Sequence, residues 1–158
     1  IAQEDLLGAA PEFMPEIESN GSKNKLANKY ALSSTSAAAS GITYLEIGGV
    51  VSVQAAYEYI SPTQYSTVGD HGGSQVRVWV WQIGYGNVNN AIFNGVSKAP
   101  TSTRYRCGTN LHVCSAGETV TGFLYQFDFF GPQNGQLTVS SSSIASPFGY
   151  WSDSLYIN

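Results

Sequence analysis

Thr119-Val120-Thr121-Gly122-Phe123-Leu124-Tyr125-Gln126-Phe127-Asp128-Phe129-Phe130 decides the fold. Phe123, Tyr125, Phe127 and Phe129 recur at every second position, so an extended chain gathers their rings on one face. Leu124, Gln126 and Asp128 take the other face. A helical turn would scatter the same rings around its circumference. A run this long and this aromatic asks for a broad facing sheet to cover it.

The alternation extends outward from that stretch. In Gln75–Gly84, Val76, Val78 and Val80 point one way and Arg77, Trp79 and Trp81 the other. Both faces are heavy, which places this strand centrally and makes Trp79 and Trp81 core residues. Val51 to Tyr59 alternates in the same manner and reads as a half-buried strand. Ala91-Ile92-Phe93 and Val96-Ser97-Lys98 flank Asn94-Gly95, the dipeptide that accepts the positive φ angles of a type I′ turn, and so form a hairpin. Ser102–Cys107, Gln136–Ser142 and Ser154–Asn158 complete the strands. Gly108–Val113 and Gly131–Gly135 read as loop and turn. From residue 41 onward the chain therefore predicts an all-β domain, an antiparallel β-sandwich with a small β-barrel as the alternative.

Residues 1–40 differ in kind. The first twenty residues hold five acids (Glu4, Asp5, Glu12, Glu16 and Glu18) and no base. Lys23, Lys25 and Lys29 follow, with a short helix expected around Lys23–Leu32. Ser33-Ser34-Thr35-Ser36-Ala37-Ala38-Ala39-Ser40 then has no apolar period. This region reads as an irregular N-terminal extension and linker, either a loosely packed tail or a pro-segment, ahead of a single sandwich domain over 41–158. The chain starts at Ile1 and turns acidic at once, as expected of a sequence that follows a removed leader.

Composition narrows the partners. Charged residues make up 11% of the chain, against about 25% in an ordinary soluble domain. The net charge is -4, and Arg104 and Arg106 are the one close basic pair of the sandwich domain, too little to hold nucleic-acid phosphates. No apolar run is long enough for a transmembrane helix. Cys107 and Cys114 are the only cysteines and lie seven positions apart, a spacing that fits a small disulfide-closed loop and an oxidising, extracellular compartment. The surface is left to Gly, Ser, Thr, Asn and Tyr, which suit neutral, polyhydroxylated partners.

Chemistry-bearing residues are sparse. His71 follows Asp70 in Gly69-Asp70-His71-Gly72-Gly73, where a carboxylate could orient an imidazole for acid–base work, though the glycines mark a tight turn in which Asp70 caps backbone amides. Glu58 and Asp128 lie on apparent strands, where a glycosidase would place a carboxylate pair. Glu46, Glu118 and Asp153 are candidates by residue type alone. His112 reads as an exposed residue of the disulfide loop rather than a partner of His71. No metal motif, nucleophile elbow or cofactor motif is present, so no metal and no cofactor are expected. Aromatics are the stronger signal. Tyr85 in Ile83-Gly84-Tyr85-Gly86-Asn87, and Phe148, Tyr150 and Trp151 in Pro147-Phe148-Gly149-Tyr150-Trp151, sit in glycine-rich stretches that read as ring-bearing loops.

Three stretches carry a family resemblance over residues 42–158. They are Asp70-His71-Gly72-Gly73 with Gly84-Tyr85-Gly86, then Cys114-Ser115-Ala116-Gly117-Glu118-Thr119-Val120 leading into Gly122-Phe123-Leu124, and Ser146-Pro147-Phe148. Together they resemble the YolA-like group of small secreted bacterial proteins. The resemblance implies a compact extracellular single domain and supplies no catalytic residue; the acidic extension is not part of that pattern. The sequence therefore predicts a secreted, non-catalytic module that binds a glycan or another cell-surface ligand through Tyr85, Phe148, Tyr150 and Trp151. A small extracellular hydrolase built on His71 and a carboxylate is the second expectation. A secreted toxin or assembling surface protein, with residues 1–40 removed or exchanged, is the third.

Overall fold

A computed structural model describes residues 40–88, 90–130, 134–146 and 148–158. The expected extension, its helix at Lys23–Leu32 and any pro-segment lie outside the described residues, as does most of the expected turn at 131–135. Among the described residues there is no helix. The elements are β1 (Tyr44–Ser52), β2 (Glu58–Tyr59), β3 (Gln75–Ile83), β4 (Gly86–Val88), β5 (Ala91–Phe93), β6 (Val96–Lys98), β7 (Ser102–Cys107), β8 (His112–Val113), β9 (Val120–Phe130), β10 (Gly135–Ser143) and β11 (Tyr150–Ile157).

They form two antiparallel sheets. The first has the order β2-β1-β3-β9-β7-β8 and the second β11-β10-β5-β6, with β4 also paired to β10. The aromatic stretch is β9, at the middle of the first sheet, flanked by β3 on one side and β7 on the other. Cross-strand register places Val78 opposite Phe127 and Val76 opposite Phe129, so this face of the sheet turns inward. Across the sandwich, Phe129 meets Phe93 of β5 edge to face with ring centroids 5.3 Å apart. Leu137, Val139, Leu155 and Ile157 of the second sheet complete the same core. Trp79 and Trp81 occupy the opposite face of β3 and are buried there, with the Tyr57 ring 5.7 Å from Trp79.

Several strand boundaries differ from expectation: β1 begins at Tyr44, and the short strands β4 and β8 form where loops were expected at Ile83–Asn87 and Gly108–Val113. The strand expected over Val51–Tyr59 breaks at Ser52. The Ser52 hydroxyl accepts hydrogen bonds from the amides of Gln54 and Ala55, and the Ser52 amide donates to the Ala55 carbonyl. This serine-centred turn reverses the chain, so that β2 pairs back on β1 with Val50 opposite Glu58. The apolar alternation happens to continue across the reversal and conceals it. The last strand begins at Tyr150 rather than Ser154, because Tyr150 to Ser154 pair residue for residue with Ser142 to Thr138 of β10. The Asn94-Gly95 hairpin forms as expected, with φ of 51° and 77°.

The sheets are also tied by polar groups. Asp153 of β11 is buried, and its Oδ2 accepts the Ile47 amide at 2.9 Å, where β1 is bulged between Ile47 and Gly49. The start of the described chain is pinned to the second sheet, where the Gly41 amide donates to the Ser146 carbonyl and the Tyr85 amide to the Ser40 carbonyl. Cys107 and Cys114 are bonded, joining the end of β7 to the residue that follows β8.

Candidate functional site

Of the hydrolase candidates, folding brings His71 and Glu58 together and leaves Asp70 and Asp128 apart from them. His71 does meet a carboxylate, and it is Glu58: Nε2 lies 2.9 Å from Glu58 Oε1. The same carboxylate accepts the amides of Val68 and Gly69 at 2.7 and 2.9 Å and the Gln64 side-chain amide at 2.8 Å. Burial pushes the Glu58 carboxyl up, but these donors together outweigh it and hold Glu58 below the usual glutamate range. With Glu58 ionised, it is His71 Nε2 that donates to it. Nδ1 is buried and has no hydrogen-bond partner, and the whole side chain is 1% exposed. An imidazole so enclosed reaches no solvent, so Glu58 and His71 form a brace.

What the brace holds is the outer edge of β11. The His71 amide donates to the Asn158 carbonyl at 2.7 Å, and Thr67 accepts the Asn158 amide on its hydroxyl and the Asn158 side-chain amide on its carbonyl. The Tyr156 amide donates to the Tyr65 carbonyl and the Thr67 amide to the Tyr156 carbonyl, both at 2.9 Å. Asp70 is exposed and does not contact His71. Adjacent side chains on an extended segment diverge, and the carboxylate that meets His71 is Glu58 rather than its neighbour Asp70. Asp128 stands apart in a buried ion pair, 2.6 Å from Arg77 Nε, with Thr101, Gln75 and Gln126 as further donors. It is not brought to Glu58 as a glycosidase pair. His112 is exposed and lies 2.6 Å from Glu118, whose carboxyl is held low by the Ser115 amide and by His112. Among the described residues no cluster of His, Cys, Asp or Glu is suited to a metal ion.

The ring residues also separate. Trp151 is 6% exposed and packs in the core, which corrects its expected place on an exposed loop: it is an inward position of β11, opposite Ser141. Tyr85 is half-buried, its hydroxyl donates to the Val120 carbonyl, and its ring meets Phe123 edge to face. It serves as an anchor for the β3–β4 connection. Phe148 and Tyr150 are exposed, at 74% and 68%.

Tyr150 opens a larger surface. Along β11 the outward residues are Tyr150, Ser152, Ser154 and Tyr156, alternating with the buried Trp151, Asp153, Leu155 and Ile157. Opposite them on β10 stand Ser142, Ser140, Thr138 and Gln136. Asn87 of β4 continues the row of Ser142, while Ile92 of β5 and Ser97 of β6 continue that of Thr138. The outer face of the second sheet is thus a platform made mostly of hydroxyls and amides, with the apolar Ile92 beside Thr138 and Ser140 buried among its neighbours. It bears a tyrosine near each end of one strand and, among the described residues, no side chain that is charged at neutral pH. Tyr156, 41% exposed, is the member sequence reasoning missed. The signal for it was the alternation of Tyr150 to Ile157, which the Pro-Phe-Gly loop signature just before it obscured.

Comparison with known proteins gives a family. The sequence matches the family described as Domain of unknown function (DUF4879) over residues 35–157, which takes in all eleven strands, and the chain belongs to that family. No curated protein matches the chain. Among the described residues no helix is long and apolar enough to cross a membrane.

Proposed function

We propose that this chain is a secreted, non-catalytic module that binds a glycan on the outer face of the five-element sheet formed by β4, β5, β6, β10 and β11. The observation that carries the reading is the uncharged platform bearing Tyr150 and Tyr156. Sugar rings present apolar C–H faces that stack on flat aromatic rings, and hydroxyl edges that exchange hydrogen bonds with Ser, Thr, Asn and Gln side chains. A platform without cations offers no ion pair to phosphate or sulfate, and one without acids offers none to basic peptides, so charge favours a neutral ligand. The disulfide supports placement in an oxidising compartment.

The test is retention on a panel of immobilised neutral plant and cell-wall polysaccharides. Binding is expected from at least one member, with Tyr150→Ala lowering affinity about tenfold, as for loss of one stacking ring. The Tyr150 side chain is largely solvated, so the variant is expected to keep its melting temperature within about 2 °C. No retention on any member would remove the proposal. Trp151→Ala is excluded as a binding probe, since it would open a cavity in the core.

A further inference from the structure

The two tyrosines share one strand and one face, six residues apart, which separates them by about 20 Å along β11. Between them on that face stand Ser152 and Ser154, the smallest hydroxyl side chains, so nothing rises between the rings to interrupt a ligand lying along the strand. We propose, building on the glycan reading above, that the ligand is an extended, neutral polysaccharide chain lying parallel to β11 and stacked on both rings at once. A single sugar ring or a short oligomer covers one tyrosine and leaves the other to water. A chain that reaches both gains the second contact as an intramolecular event, with an effective concentration set by its own stiffness. A stiff, straight chain is favoured over a coiled one, because a coiled chain would lose conformational freedom in bridging the rings.

Tyr156 is the more constrained end of this arrangement. Its backbone is bonded on both sides to the Tyr65–Thr67 segment, and that segment is held by the Glu58–His71 brace. The Glu58–His71 pair thereby fixes the backbone of the strand edge that carries the second ring, so less backbone freedom is lost when a ligand docks there.

Calorimetry with β-1,4-linked oligomers of glucose, xylose and N-acetylglucosamine, from dimers to hexamers, reads the idea directly. For the series that binds, hexamers outreach both rings and dimers do not. The expected result is a step of at least about tenfold in affinity between the shortest and longest members. Tyr150→Ala and Tyr156→Ala are each expected to reduce the hexamer to the dimer level. Ser152→Arg touches neither ring but raises a long side chain between them, and is expected to do the same to hexamers while sparing dimers. A charged, carboxymethylated long chain is expected to bind no better than its neutral parent. Equal affinity for dimers and hexamers, or a Ser152→Arg protein that still binds hexamers at full strength, overturns the spanning chain and leaves a one-ring glycan site standing. Absence of binding at every length in all three series overturns both.

Discussion

Glu58 shows how much structure a single carboxylate can organise. Two backbone amides, the Gln64 side chain and His71 all donate to it, and through them it holds the segment that borders Tyr156. Its carboxyl is held below its ordinary value near 4.5, so the ionised form is bound more tightly in the folded than in the unfolded chain. The resulting stability is present at neutral pH and is lost as the pH falls below the ordinary glutamate range and through the lower folded value. Glu58→Gln is therefore expected to melt about 2–4 °C below the parent at pH 7, with the gap closing toward pH 3, in thermal scans across pH. A gap that stays constant with pH would mean that shape, not charge, does the holding. Residue-scale chemistry was only partly legible in the sequence. Glu58 and His71 were both candidates by type, yet their pairing depends on the Ser52 turn and the return of β2, which no local pattern announced. Trp151 lies two residues after Gly149 and a loop-like Pro-Phe pair, and only its pairing with Ser141 turns it inward.

Strands and turns were more legible, because the period of two survives in any context where one face is buried. β3, β7, β9 and the β5–β6 hairpin fall close to where alternation and Asn-Gly place them. The failures were at ends and in short strands: β1 extends further back than its alternation suggested, β11 starts earlier, and β4 and β8 form within stretches read as loops, because two or three residues show no period. Two glycines test the turns between elements. Gly95 has φ of 77° with no atom near the place of a Cβ, whereas at Gly84, with φ of 95°, a Cβ would fall 2.0 Å from the Gly41 carbonyl oxygen. Both substitutions to alanine strain the backbone, but only the second pushes the start of the described chain off the β3–β4 connection. In denaturant titrations Gly95→Ala is expected to cost about 1 kcal/mol and Gly84→Ala more than about 3 kcal/mol. Equal costs would show that the approach of Gly41 to Gly84 contributes nothing to the fold.

For the molecule as a whole, the two-layer architecture was the most legible feature, since a strand as aromatic as β9 has to be covered. The disulfide is a local addition to that architecture. It closes a short ring at the β7–β8 corner, from which Leu111 packs into the core, and its contribution is about 2.5 kcal/mol by loop-closure entropy. Reduction is expected to lower the melting temperature by about 5–10 °C while leaving a native β-type circular dichroism spectrum at room temperature. Collapse of the spectrum on reduction would show instead that the β7–β8 corner nucleates the fold. The division of labour between faces was the least legible property, because it depends on which side of each strand is covered. The Arg77–Asp128 ion pair is buried between β3 and β9 and Asp153 of β11 points inward, while among the described residues the outer face of β10 and β11 carries no ionic group. Association through that face would displace no condensed counterions, so brine and fresh water would serve it alike.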